Sequence, residues 1–117
     1  MAKLILLSVL MLQLPAPGKG PVVIGSGFHN GETYLKSFNE GERIRYTEGF
    51  VNGLLMSAMI TPAAQDWAHQ LHECIQGRTN SQLAEIIKGY IDADPLRWSE
   101  QLNVLSFIAI RDSCGPR

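Results

Sequence analysis

Residues 79–91, TNSQLAEIIKGYI, carry the strongest structural signal in the chain. Thr79 and Gln82 match a capping box, in which the side chains at the N-cap and at the third helical residue each bind the other's backbone N–H. The apolar residues that follow have the spacing of one helix face: Leu83, Ile86, Ile87, Tyr90 and Ile91. The segment therefore predicts a capped amphipathic helix whose apolar face packs on the rest of the protein.

Another helix is predicted directly after this one. Asp94 is a suitable N-cap, and Pro95 is tolerated at the first helical position. The inward stripe is formed by Trp98, Leu102, Leu105 and Ala109, and is widened by Val104, Phe107 and Ile108. Arg111 suits the negative C-terminal end of a helix dipole. Together with the cap and the stripe, it predicts one continuous helix from Pro95 to Arg111. Residues 114–116 then end the fold.

The apolar spacing predicts three helices in the preceding part of the chain, over residues 31–39, 42–60 and 63–74. Asn30 is expected to cap the first, Thr61 and Pro62 to start the third, and Gly77 to end it. Their inward residues are Tyr34, Leu35, Phe38, Tyr46, Phe50, Leu54, Ala58, Trp67 and Leu71. The predicted fold is therefore an all-α bundle of four to five short helices.

A row of small residues runs along the second of these helices: Gly49, Gly53 and Ser57. Each glycine costs on the order of 1 kcal/mol of helix stability relative to alanine. Charged and polar residues on the same segment exclude a membrane span: Arg43, Arg45, Glu48 and Asn52. We therefore expect the row to allow close packing, either within the bundle or across a homodimer.

The N-terminus has the pattern of an export signal. Lys3 precedes an apolar run over residues 4–14, which is shorter than the about 20 residues of a membrane span. Ala16 and Gly18 are small, so a signal peptide over residues 1–18 is predicted. An uncleaved anchor or a buried N-terminal helix is the alternative. Residues 19–29, rich in Gly and Pro, are then an extended leader, and residues 30–117 form the helical domain.

The chain contains two cysteines, Cys74 and Cys114. An export signal with an even cysteine count indicates an oxidising compartment and predicts one structural disulfide between them. Closing a loop of this length would stabilise the fold by about 4 kcal/mol. Two buried free thiols are the alternative. These features predict a protein that lies outside the cytosol.

The charge pattern argues against a nucleic-acid partner. The full chain has a net charge of −1, and residues 19–117 contain nine basic and eleven acidic residues. No basic run is interleaved with aromatic residues, so the chain lacks the electrostatic pattern of a nucleic-acid-binding domain.

Candidate catalytic and metal-binding residues are few. His69 and His72 are three residues apart, and with Glu73 or Cys74 they could bind zinc, but no second ligand pair follows at the usual spacing. Acidic residues that could act as paired carboxylates lie around a helix start, where such residues are common: Glu40, Glu42 and Glu48. No hydrolase motif is present. We therefore predict no catalytic, cofactor or metal site, and no enzyme activity.

Several motifs resemble the small exported immunity proteins of type VI secretion systems, the Rap and Tai kind. The C-terminal motifs are Cys74-Ile75-Gln76, Thr79-x-x-Gln82-Leu83, Ile87-x-x-Tyr90-Ile91-x-x-x-Pro95 and the final Cys114. The N-terminal motifs are Gly31-Glu32-x-x-Leu35 and Tyr46-x-x-Gly49-Phe50-Val51-x-Gly53. The resemblance covers residues 27–114. Two features depart from the family pattern: residues 27–60 lack a second cysteine pair, and Gln76 stands where a proline is common.

The resemblance implies a periplasmic, helical and homodimeric protein that binds and blocks a toxic effector, such as a cell-wall amidase. No effector-binding residue is carried over by motif. Because loops commonly carry recognition, residues 61–67 and 76–80 are the predicted contact surface. Two other functions stay open: a periplasmic stress chaperone with many weak clients, and a small enzyme or metal-binding protein that uses His69 and His72.

Overall fold

The computed structural model describes residues 27–115, which form a helical bundle. Its α-helices are α1 (Glu40–Ile60), α2 (Gln65–Ile75), α3 (Asn80–Asp92) and α4 (Leu102–Ser113). A short π-helix (Thr33–Ser37) precedes α1, and two 3-10 helices (Pro62–Ala64 and Pro95–Ser99) precede α2 and α4. No strand occurs within residues 27–115, so the all-α prediction is confirmed.

Side-chain caps explain where two of the helices begin. The predicted capping box of α3 is present: Gln82 donates its backbone N–H to the Thr79 hydroxyl, and Thr79 donates its own to the Gln82 side chain. Asn39 and Glu42 form a second box at the start of α1. This second box was not identified from the sequence. Because Asn39 is the N-cap, α1 begins at Glu40, two residues before the predicted start at residue 42.

The core lies around α3, which packs on α4, on α1 and on the π-helix. Its most buried large side chains are Tyr34, Ile87, Ile91, Leu102, Leu105 and Ile110. The Tyr34 hydroxyl donates to the carbonyl of Ala84 over 2.8 Å, so this buried polar group is satisfied. Burial raises the pKa of Tyr34 to about 12. Burial also raises the pKa of Tyr46, whose hydroxyl lies 3.3 Å from that of Ser106.

The predicted continuous helix from Pro95 onward is wrong. Asp94 does cap a helix, accepting the Leu96 N–H, but that helix is a five-residue 3-10 segment. Glu100 and Gln101 are extended and pair with residues 29–31. Gly31 donates its N–H to the Glu100 carbonyl, and Leu102 donates its N–H to the His29 carbonyl. These backbone bonds to a remote segment replace helical bonds, so α4 starts only at Leu102.

The predicted disulfide joins Cys74 at the end of α2 to Cys114 just after α4. The two Cα atoms are 5.7 Å apart, a usual separation for a disulfide. The bond encloses α3 and α4, and the alternative of two free thiols is wrong. Gly77 follows with a φ of +81°, a left-handed conformation that favours glycine and turns the chain toward α3.

The predicted signal peptide at residues 1–18 and most of the predicted leader lie outside the described residues. Within residues 27–115, no helix is both long and apolar enough to cross a membrane.

Candidate functional site

A concave groove with a volume of about 550 Å³ lies where α1, α2 and α4 meet. Each helix contributes apolar side chains to it: Leu54 from α1, Trp67 and Leu71 from α2, and Phe107 and Ile110 from α4. We call it the Trp67 groove. A concave, mainly apolar surface between helices is a common form of binding site in helical bundles.

Two aromatic side chains form one wall of the Trp67 groove. The rings of Trp67 and Phe107 meet edge to face, with centroids 5.7 Å apart and planes at 90°. This arrangement is favourable for aromatic pairs and holds both rings in place. Fixed aromatic residues in a groove are the usual energetic centre of a protein interface.

The rim of the groove is polar and charged. Arg111 stands over the Phe107 ring, with its guanidinium carbon 5.9 Å from the ring centroid, and also contacts the Asp112 carboxylate at 3.2 Å. Gln70 and Asp112 also line the groove. An apolar floor with a polar rim is the general layout of a protein-binding surface.

The disulfide and one arginine brace the end of the groove. Cys114 lines the groove, and its bond to Cys74 ties α4 to α2. Arg78 adds a second tie, donating to the hydroxyl and carbonyl oxygens of Ser113 at 3.0 and 3.4 Å. Such bracing lowers the conformational entropy that binding would otherwise remove.

The two predicted contact loops lie at different positions relative to the Trp67 groove. Residues 61–67 reach the groove through Trp67 alone. Residues 76–80 do not line the groove. Within this segment, Arg78 binds Ser113 at the end of α4.

The histidines of α2 do not come together with other metal-binding side chains. His69 contacts Glu73, with Nε2 and Oε1 3.2 Å apart, and both side chains are more than half exposed. Cys74 is bonded to Cys114 and is therefore not available as a thiolate ligand. No group of three or more His, Cys, Asp or Glu side chains placed to hold a metal ion occurs within residues 27–115. Glu42, a candidate carboxylate, serves in the capping box of α1.

Comparison with known proteins gives no relative. No protein-family model, curated protein or solved structure matches the chain.

Sequence reasoning missed the main lining residues contributed by α4. Phe107 was expected only to widen an inward stripe, and Arg111 only to suit a helix dipole. The contact between Trp67 and Phe107 joins residues 40 positions apart, and no local pattern reports such a pairing. The signal that was available is the helical spacing of Phe107, Ile110 and Arg111, which places them on one side of α4.

Proposed function

We propose that this chain is an exported binding protein that neutralises a toxic effector, in the manner of a type VI secretion immunity protein. The observation that carries the proposal is the Trp67 groove, an apolar surface with two fixed aromatic rings and a charged rim. Such a surface suits capture of a protein side chain or short segment, since aromatic residues in a partly enclosed pocket dominate interface energies.

The resemblance in sequence to type VI secretion immunity proteins supports the same proposal independently of the groove. It implies a periplasmic location, an effector such as a peptidoglycan hydrolase, and a homodimer. A disulfide that closes half of the bundle also suits an oxidising compartment. On this proposal the chain acts by occluding the effector and performs no catalysis itself.

The first experiment identifies and quantifies the partner. The tagged chain, exported to the periplasm, is used to capture proteins from lysates of related strains, and captured proteins are identified by mass spectrometry. We expect one exported hydrolase, bound in a stoichiometric complex whose hydrolase activity is lost. Many weak partners, or partners that appear only in acid, would contradict the proposal.

Matched variants then test the groove itself. Trp67→Ala removes the aromatic wall, and we expect it to raise the Kd for the captured effector by about tenfold or more. Leu96→Ala is the control, because Leu96 is 80% exposed and does not line the groove. Equal affinity of both variants for the effector would place the binding surface elsewhere, and circular dichroism with thermal unfolding verifies that Trp67→Ala still folds.

A chaperone is the second candidate, and one observation favours it. Met56, Met59 and Ile60 are 55%, 82% and 81% exposed near the end of α1. Flexible, polarisable methionine side chains suit surfaces that accept many partners. Suppression of the aggregation of unrelated unfolded proteins, lost on changing Met56 and Met59 to Ser, would favour this candidate over an immunity protein.

A further inference from the structure

We propose that the segment Pro21-Val22-Val23-Ile24 docks in an apolar groove beside Phe50 of the same chain. The groove has a volume of about 420 Å³ and lies where α1 passes the start of α4. We call it the Phe50 groove. It shares no lining residue with the Trp67 groove, so its occupant does not depend on effector binding. The four docking residues precede the described part of the chain.

The lining of the Phe50 groove is largely apolar, and its aromatic wall is ordered. Tyr46 and Phe50 of α1 stack with ring centroids 5.9 Å apart, and Leu102 of α4 lies beside them. Gly49 also lines the groove, and a Cβ added there would meet no atom within 4 Å among the described residues. The same is true of Gly53. The close packing expected at these glycines is therefore not supplied by the described helices.

The described chain begins at the mouth of this groove. Gly27 and His29 both line it. Gly27 donates its N–H to the Gln101 side chain over 3.1 Å, and the His29 carbonyl accepts the Leu102 N–H over 2.8 Å. A Cβ added to Gly27 would lie 2.8 Å from the side-chain oxygen of Asn103, so the backbone runs close against the start of α4. The residues before Gly27 therefore leave from a fixed point on the rim of the groove.

The docking segment is within reach of the whole groove. Ile24 and Val22 lie three and five residues before Gly27, so an extended chain carries them up to about 10 and 17 Å from it. The aromatic wall is shorter than this reach, because Tyr46 and Phe50 are about 6 Å apart along the axis of α1. Val22 and Ile24 can therefore both contact the wall.

The composition of the segment suits a turn followed by an extended stretch. Gly25 permits the backbone conformations that a turn back toward the groove requires. Valine and isoleucine favour extended backbone, and Pro21 is compatible with it. Successive side chains of an extended segment point to opposite sides. We therefore place Val22 and Ile24 on the groove and Val23 on the outer side.

Covalent attachment favours this segment over a separate partner. A short linker gives a tethered segment an effective concentration on the order of millimolar. Residues 21–24 carry no charge, so no ion is desolvated on docking. Arg45, exposed on the rim, offers guanidinium N–H groups to the carbonyl oxygens of a docked backbone. Phe28, 101% exposed at the edge of the groove, adds a further apolar surface.

Nuclear Overhauser effects in the exported, disulfide-bonded chain test the docking directly. With valine and isoleucine methyls labelled, we expect effects from Val22 and Ile24 to the rings of Tyr46 and Phe50. Methyls with random-coil shifts and no such effects would overturn the proposal. In a mixture of labelled and unlabelled chains, effects that join two different chains would assign the groove to a second copy and would also overturn it.

A variant that fills the groove tests the location. Gly49→Leu places a large side chain in the opening, and we expect it to abolish the effects from Val22 and Ile24. Gly89→Leu is the matched control, because Gly89 is also an exposed helical glycine with no atom within 4 Å of an added Cβ, and it does not line the groove. Effects that survive Gly49→Leu, in a chain whose core resonances show that it is folded, would overturn the placement.

Thermal unfolding tests the expected orientation of the segment. The double change Val22→Ser with Ile24→Ser should lower Tm by about 4 °C or more, because two docked side chains lose apolar contact. Val23→Ser, on the outer side, should lower Tm by less than half as much. No loss from the double change, or an equal loss from Val23→Ser, would overturn the proposal.

Discussion

At the scale of single residues, two glycines of the bundle have opposite roles. Gly31 is buried, and an added Cβ would lie 2.8 Å from the Arg97 carbonyl oxygen and 2.9 Å from a methyl of Ile91. The Gly31 N–H is bonded to the Glu100 carbonyl, so the backbone at Gly31 cannot shift to make room for a Cβ without losing this hydrogen bond. Gly89 faces open space within α3. The first glycine is required by close packing, and the second is not.

Alanine substitutions at these two positions should therefore change stability in opposite directions. Gly31→Ala is expected to lower the free energy of unfolding by about 1–3 kcal/mol through overpacking. Gly89→Ala is expected to raise it by up to about 1 kcal/mol through helix propensity. Urea unfolding measures both. A neutral Gly31→Ala would contradict the close approach of the Arg97 carbonyl.

The buried phenol of Tyr34 predicts a loss of stability in alkali. Its folded pKa, about 12, lies above the value of 10.0 for an unburied tyrosine. Tyr34 therefore makes its full contribution to the free energy of unfolding below pH 10. This contribution is lost as the pH rises toward 12, because Tyr34 ionises in that range only when the chain is unfolded. The loss should amount to about 2–3 kcal/mol.

Tyr34→Phe checks this assignment. The variant should be less stable at neutral pH by about 1 kcal/mol, because the hydrogen bond to the Ala84 carbonyl is lost. Its stability should then fall less steeply between pH 10 and 12 in urea unfolding, with a residual decline from Tyr46. An unchanged slope would show that other groups govern the alkaline transition.

At the scale of elements, side-chain caps decide where helices start, and remote backbone bonds decide where one is interrupted. Thr79 and Asn39 each complete a capping box, and both helices begin at the next residue. Between the 3-10 helix and α4, the extended residues Glu100 and Gln101 lie beside residues 29–31. The Glu100 carbonyl accepts the Gly31 N–H, and Leu102 donates its N–H to the His29 carbonyl. Local sequence favoured a continuous helix there, and the tertiary pairing overrode it.

Removal of the α3 cap tests the first of these rules. Thr79→Ala should lower the free energy of unfolding by about 1 kcal/mol, since the Gln82 N–H loses its side-chain acceptor. Ser81→Ala is the control, because Ser81 is exposed in the first turn of the same helix. Equal effects of the two changes in urea unfolding would argue against the cap as the cause.

At the scale of the whole molecule, the disulfide is the main covalent restraint on the bundle. The bond spans 40 positions and holds the ends of α2 and α4 together beside the Trp67 groove. Arg78 and Ser113 reinforce the same corner through hydrogen bonds. The shape of the groove therefore depends on this corner as well as on the packing of the three helices.

Replacement of both cysteines by alanine should lower the free energy of unfolding by about 4 kcal/mol, because the unfolded chain regains the entropy of an open loop. Chemical denaturation with and without a thiol reductant gives the measurement. Reductant should destabilise the natural chain to a similar extent and leave the double variant unaffected. A loss below about 1 kcal/mol would indicate that the helices alone hold the corner together.

The sequence by itself determined the helical class, the α3 capping box, the turn at Gly77 and the cysteine pairing. Each of these depends on contacts between near neighbours in the chain or, for the disulfide, on there being two cysteines to join. The tertiary structure alone decided that α4 begins only at Leu102, that Trp67 meets Phe107, and that Gly49 and Gly53 face outward. These features depend on which distant segments approach each other, and helical spacing fixes a side chain's face without fixing what that face meets.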